Sequence, residues 1–169
     1  MKKILLLIIM VLALGMLAGC GDSPGNASDN NNIEYTGDVE RVGNAEFGFI
    51  YLPVDWNNFM DVGMTHAGIP HVGFMSLEGS IVNLISYGVI PGLDLVPFIA
   101  SLDVEYQIVS LDGNDAFRTK AAVNEGEFYL FGWYFTDEND NFRLITAEGP
   151  IEELNVVVNL IERTFSLSE

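Results

Sequence analysis

Phe128-Tyr129-Leu130-Phe131-Gly132-Trp133-Tyr134-Phe135 is apolar or aromatic at every step. A strand with one wet face alternates apolar with polar residues, whereas a strand covered on both faces does not, so this stretch reads as an interior strand of a two-sided sheet. Its surroundings extend the reading. Residues 104–110, 116–123, 127–135 and 142–147 are four strand candidates in succession. They are separated by Asp112-Gly113-Asn114-Asp115, Asn124-Glu125-Gly126 and Asp137-Glu138-Asn139-Asp140-Asn141. Turns this short and polar suit antiparallel neighbours, so the four form a meander with the aromatic strand central.

Downstream of the meander, Leu154, Val157, Val158, Ile161 and Phe165 fall on one stripe of a helix. Pro150 suits the first turn, and Glu152 and Glu153 favour the positive end of the helix dipole. The stripe should pack on the sheet. Upstream, Phe47-Gly48-Phe49-Ile50-Tyr51-Leu52 is strand-like and stops at Pro53, which has no N–H for a ladder. Residues 61–70, with Gly63 and Gly68, read as loop. Residues 72–77 and 81–89 read as a hairpin around Glu78-Gly79-Ser80, and 93–102 as a helix if Pro97 lies in its first turn.

The strand Phe47 to Leu52 with Pro53 and nearby Trp56, then a hairpin, a helix, a meander and a last helix ending Ile161-Glu162-Arg163-Thr164-Phe165, resembles the PsbP/DcrB-like group. The resemblance implies an α+β fold: an antiparallel, meander-rich sheet covered by helices, the PsbP-like α/β sandwich. It further implies an exported or lipid-anchored protein that assists a larger assembly. It assigns no catalytic residue to this sequence.

The N-terminus points the same way. Met1-Lys2-Lys3 is followed by an uncharged run from Ile4 to Gly19, the pattern of an export signal. The run is shorter than the roughly 20 apolar residues that cross a bilayer. Leu17-Ala18-Gly19-Cys20 closely resembles the lipobox of bacterial lipoproteins, whose cysteine is acylated and becomes the first mature residue. The expected organisation is a signal peptide over 1–19, a lipidated cysteine and flexible tether over 20–37, and a single PsbP/DcrB-like domain over 38–169. Residues 21–32 carry no large apolar side chain and cannot offset the entropy of being ordered. The domain itself is long enough to bury about two-thirds of its surface. The expected location is the extracytoplasmic side of a cell membrane, held by palmitate or a similar acyl group on Cys20.

Composition narrows the function. Cys20 is the only cysteine, so with its sulfur given to lipid the mature chain has neither a disulfide nor a thiol nucleophile. Loss of Lys2 and Lys3 leaves five basic residues against 24 acidic ones, a charge of −19 where the whole chain has −17. Nucleic acid and anionic bilayer surfaces repel such a chain, because both are bound through Lys and Arg. The expected partners are the membrane, through the lipid, and, as the resemblance implies, a protein at the cell envelope.

Candidate chemistry is sparse. His66 and His71 are the only histidines, five residues apart in a glycine-containing stretch, without the Glu-flanked helical spacing of a zinc site. No nucleophile elbow, phosphate loop or dinucleotide fingerprint occurs. Trp56 and Trp133 could line a cleft, but aromatic residues at strand spacing more often fill a core. Asp112, Asp115, Asp137 and Asp140 sit in the first and third meander turns, which lie at one end of the sheet roughly 10 Å apart. Oxygen ligands suit calcium, yet after Asp137, Asn139 and Asn141 the calcium-loop pattern fails at Phe142, where glycine is required. Asp-Gly and Asn-rich turns need no metal. The reading is a non-enzymatic binding or assembly-support domain with no cofactor. The alternative is a secreted hydrolase or metal-dependent enzyme using His66 and His71 or paired carboxylates.

Overall fold

A computed structural model describes residues 35–64 and 68–168, with the backbone alone over 60–64. The signal segment, Cys20, most of the tether and His66 lie outside the described residues.

Among those residues the chain forms nine strands, two α-helices and a single 3-10 turn at Asn124–Gly126. A two-stranded ribbon, β1 (Val39–Asn44) with β2 (Gly48–Pro53), stands apart from a seven-stranded sheet. The sheet contains β3 (Asn57–Met64), β4 (Pro70–Met75), β5 (Ile81–Val89), β6 (Tyr106–Leu111), β7 (Asn114–Val123), β8 (Phe128–Thr136) and β9 (Asn141–Gly149). Its order is β3-β4-β5-β9-β8-β7-β6, and every pairing is antiparallel. The meander expected from the short turns is thus β6 to β9. The strand β8 is interior and buried from Phe131 to Phe135, while its neighbour β9 takes the exact middle of the sheet.

Two expectations need correction. Residues 61–70, read as loop, contain the second half of β3. This is an edge strand with register breaks between Asn58 and Met60 and between Met60 and Gly63, so no alternation marks it in the sequence. The helix read over 93–102 is only Leu95–Ala100, here α1, with Pro97 in its first turn and the Asp94 carboxylate accepting from the Val96 N–H at 3.2 Å.

The closing helix α2 (Ile151–Thr164) follows Pro150, which stands at the cap. Leu154, Val157, Val158, Ile161 and the following Phe165 are all buried, as their spacing predicts. They share one core with Phe47, Ile50, Leu52 and Trp56 of the ribbon region and with Val72, Phe74, Val82, Leu84, Trp133, Phe135 and Ile145 of the sheet. The helix and ribbon therefore lie together on one face. Fully burying a side chain such as Leu154 or Ile161 contributes about 1.5–3 kcal/mol. Close approach seals the start of α2: a Cβ on Gly149 would come within 2.0 Å of Ser80 Oγ, and Ser80 donates to Glu153.

On the opposite face α1 covers a smaller cluster of Ile85, Phe98, Ile99, Tyr134, Phe142 and Leu144. Phe98 meets Tyr134 and Phe142 edge-on, with ring centroids 6.1 and 6.0 Å away. Burial pushes both the Tyr87 and the Tyr134 hydroxyls up to about 12.

Candidate functional site: charged turns and an open strand edge

The turns at one end of the meander come together. Asp112 and Gly113 join β6 to β7 with positive φ at both residues, the geometry of a two-residue hairpin turn. Asp112, Gly113, Asn114, Glu138, Leu167 and Ser168 line an open pocket of about 450 Å³, so the β8–β9 turn is its neighbour, as strand order requires. Two carboxylates of these turns, Asp112 and Asp137, have partners. Asp112 Oδ2 accepts from the Leu167 N–H at 2.8 Å. Asp137 Oδ1 accepts from the N–H groups of Asn139 and Asn141 at 2.9 and 3.0 Å, and Oδ2 accepts from Arg143 Nε at 2.8 Å. Asp115 pairs with Ser110 across the β6–β7 ladder and is exposed, as is Asp140.

Asp137 is buried beside Arg143, which is itself nearly so. Burial alone would raise its carboxyl, but the Arg143 guanidinium and the donors of Asn141 and Asn139 outweigh it and hold the group below its ordinary range. Arg143 Nη1 also donates to the Glu46 carbonyl at 2.7 Å. One guanidinium therefore fastens the β8–β9 turn to the turn of the ribbon.

His71 lies on β4 opposite Ile85, buried, and its Nδ1 is the buried side-chain nitrogen or oxygen without a hydrogen-bond partner among the described residues. Among those residues no three His, Cys, Asp or Glu side chains gather as metal ligands would. Trp56 and Trp133 are both core residues. Trp133 Nε1 donates to Glu162 Oε1 at 3.0 Å, Arg118 meets the same oxygen at 2.9 Å, and Arg118 also donates to Gln107. That network ties β6, β7 and β8 to α2.

The sheet edges were not marked by any motif. On the face that carries α1, Gly73, Asn83, Thr146, Gly132, Thr119 and Tyr106 stand opposite one another on successive strands. The small members leave room for aromatic rings: a Cβ on Gly132 would lie 2.9 Å from the Tyr134 ring. The row ends at Tyr106, because β6 is the last strand of the sheet. Tyr106 and Ile108, on the same side of β6, are 45% and 62% exposed.

No family model and no curated protein matches this sequence. Among solved structures, the chain is similar to the solution structure of cyanobacterial PsbP (CyanoP) from Synechocystis sp. PCC 6803. The likeness covers 90% of this chain and 99% of that one, at a TM-score of 0.52 and 13% identity. The fold is PsbP-like. At that identity the likeness concerns architecture, and activity has to be argued from the sites themselves. In this PsbP-like chain the buried charges brace strands and turns, while the exposed apolar residues of β6 face solvent.

Proposed function

We propose that the chain is a lipid-anchored, extracytoplasmic binding or assembly-support domain without catalytic activity, acting on a protein partner at the cell envelope. The observation that carries this reading is how the polar groups of the fold are employed. Asp137 is held by Arg143, Asp112 by the Leu167 N–H, and Glu162 by Arg118 and Trp133. A general acid or base must reach the proton it moves, and carboxylates committed to bracing are poorly placed for that. The PsbP-like architecture supports the reading at the level of fold.

Leu17-Ala18-Gly19-Cys20, at the end of an uncharged run, supports the anchor. No helix of the described residues is long and apolar enough to cross a membrane. One acyl chain holds a protein only marginally, and each buried methylene adds about 0.8 kcal/mol, so a cysteine with two or more chains resists washing. The test is metabolic labelling with palmitate and fractionation of wild type and Cys20→Ala. Label should enter only the wild type, and the variant should be an unprocessed precursor or a released soluble domain. Label in Cys20→Ala, or wild-type protein recovered entirely in the soluble wash, would overturn the anchor.

A further inference from the structure

The two edges of the large sheet are built differently. β3 is broken by two register shifts, a device that spoils an edge as a template for another strand. β6 has none: Tyr106 to Leu111 stand opposite Thr119 to Asn114 in unbroken register. The sequence Tyr106-Gln107-Ile108-Val109-Ser110-Leu111 contains no proline, glycine, lysine or arginine, so the usual protections of an edge are missing. The strand is also firmly held. Val109 and Leu111 pack into the main core, Gln107 accepts from Arg118, and the Tyr106 ring meets Phe117 edge-on at 5.4 Å. Among the described residues, what remains open is one row of backbone groups beside two exposed apolar side chains.

The exposed charge flanking this edge is acidic, while the cations of the neighbouring strand are turned to the other face, Arg118 to Glu162 and Lys120 over the Tyr129 and Phe131 rings. Asp103 and Glu105 precede the strand, Asp112 follows it, Asp115 lies beside it on β7, and all four are exposed. A second copy of the chain fits poorly. Antiparallel β6–β6 pairing about Ile108 and Val109 would set Glu105 against Asp112 of the other copy, between two molecules of charge −17.

We infer that the β6 edge accepts, as an added strand, an extended segment of another protein that carries apolar residues at alternate positions between Lys or Arg residues. Backbone hydrogen bonds extend the ladder, Tyr106 and Ile108 cover the apolar positions of the guest, and the flanking carboxylates meet its cations. This rests on the binding-domain reading and names the partner's chemistry.

The probe is a synthetic peptide alternating valine and threonine between terminal lysine pairs, titrated into the isotope-labelled full chain and followed by amide shifts and hydrogen exchange. A matched peptide with glutamate in place of lysine is the control. The lysine peptide should shift and protect amides of residues 106–111, more weakly as salt is raised, and the glutamate peptide should not. Ile108→Lys, at an exposed position, should weaken binding at least tenfold with an unchanged melting temperature, and Glu105→Gln should weaken it less. The inference is overturned if the lysine peptide leaves β6 unchanged, if Ile108→Lys binds as well as wild type, or if the chain alone dimerises with protected β6 amides. Peptide binding at another surface would refute the edge and leave the binding-domain reading standing. Palmitate labelling of Cys20 tests the anchor independently of either result.

Discussion

Arg143 Nε reaches Asp137 Oδ2 at 2.8 Å across the β8–β9 turn, and the same guanidinium donates to the carbonyl of Glu46 in the turn of the ribbon. Both the charge balance of this pair and its titration bear on stability.

Asp137→Asn keeps an acceptor for the turn N–H groups but leaves the buried Arg143 without its counter-charge. Loss of one partner of a buried pair costs about 3–5 kcal/mol. Urea unfolding should show a drop of that order, and Arg143→Leu added to Asp137→Asn should restore part of it. Strict additivity of the two substitutions would show that the pair is not coupled.

The same pair predicts an acid limb. The folded-state Asp137 carboxyl lies below its ordinary 3.8, so on acidification the unfolded chain takes the proton first. Its contribution is therefore complete above about pH 4 and is lost as pH falls through the lower folded value. The stability gap between wild type and Asp137→Asn should narrow below pH 4. A gap that stays constant down to pH 2 would contradict the assignment.

Tyr87 and Tyr134 give the alkaline counterpart. Both hydroxyls are raised from 10.0 to about 12 because burial opposes the phenolate. The neutral form favours folding fully below about pH 10, and that contribution disappears as pH rises through 12. Phenolate absorbance should show a late component coincident with unfolding, reduced in Tyr134→Phe. A late component of unchanged size in that variant would remove Tyr134 from it.

Ile161→Asp would place an unpaired charge where the side chain is now fully buried between α2 and the sheet. The expected loss is several kcal/mol against a total of about 5–15. A soluble, cooperatively folding variant with an unchanged melting temperature would contradict the helix-on-sheet packing.

Calcium should leave thermal stability nearly unchanged relative to chelator, because only a ligand that prefers the native state moves the midpoint, and Asp137 is already engaged by Arg143. A large calcium-dependent rise, absent when Asp112→Asn and Asp137→Asn are combined, would give the acidic turns a metal after all.

The parts of this fold legible in the sequence are those whose signal is local. The unbroken apolar run around Trp133 marks an interior strand, the short polar turns dictate antiparallel neighbours, and the spacing from Leu154 to Phe165 gives the buried stripe of α2. Periodicity and turn length are properties of a few adjacent residues, so they survive without knowledge of the rest of the chain. The edge strand β3 is not legible for the complementary reason: its bulges erase the alternation, and only pairing with β4 makes Gly63 and Met64 part of a sheet.

Tertiary structure decided everything that depends on residues distant along the chain. The sequence by itself determined that the acidic turns share one end of the meander. Only the fold brought Arg143 to Asp137 and Glu162 to Trp133, and so made braces of two residues weighed for chemistry. Likewise Tyr106 and Ile108 read as ordinary strand residues until the strand order left β6 without a neighbour. Whether a strand is an edge, and whether a carboxylate is free, are properties of what lies across a gap of several ångströms rather than of the residues beside it in sequence, and side-chain patterning encodes the first kind of neighbour only through the closed fold.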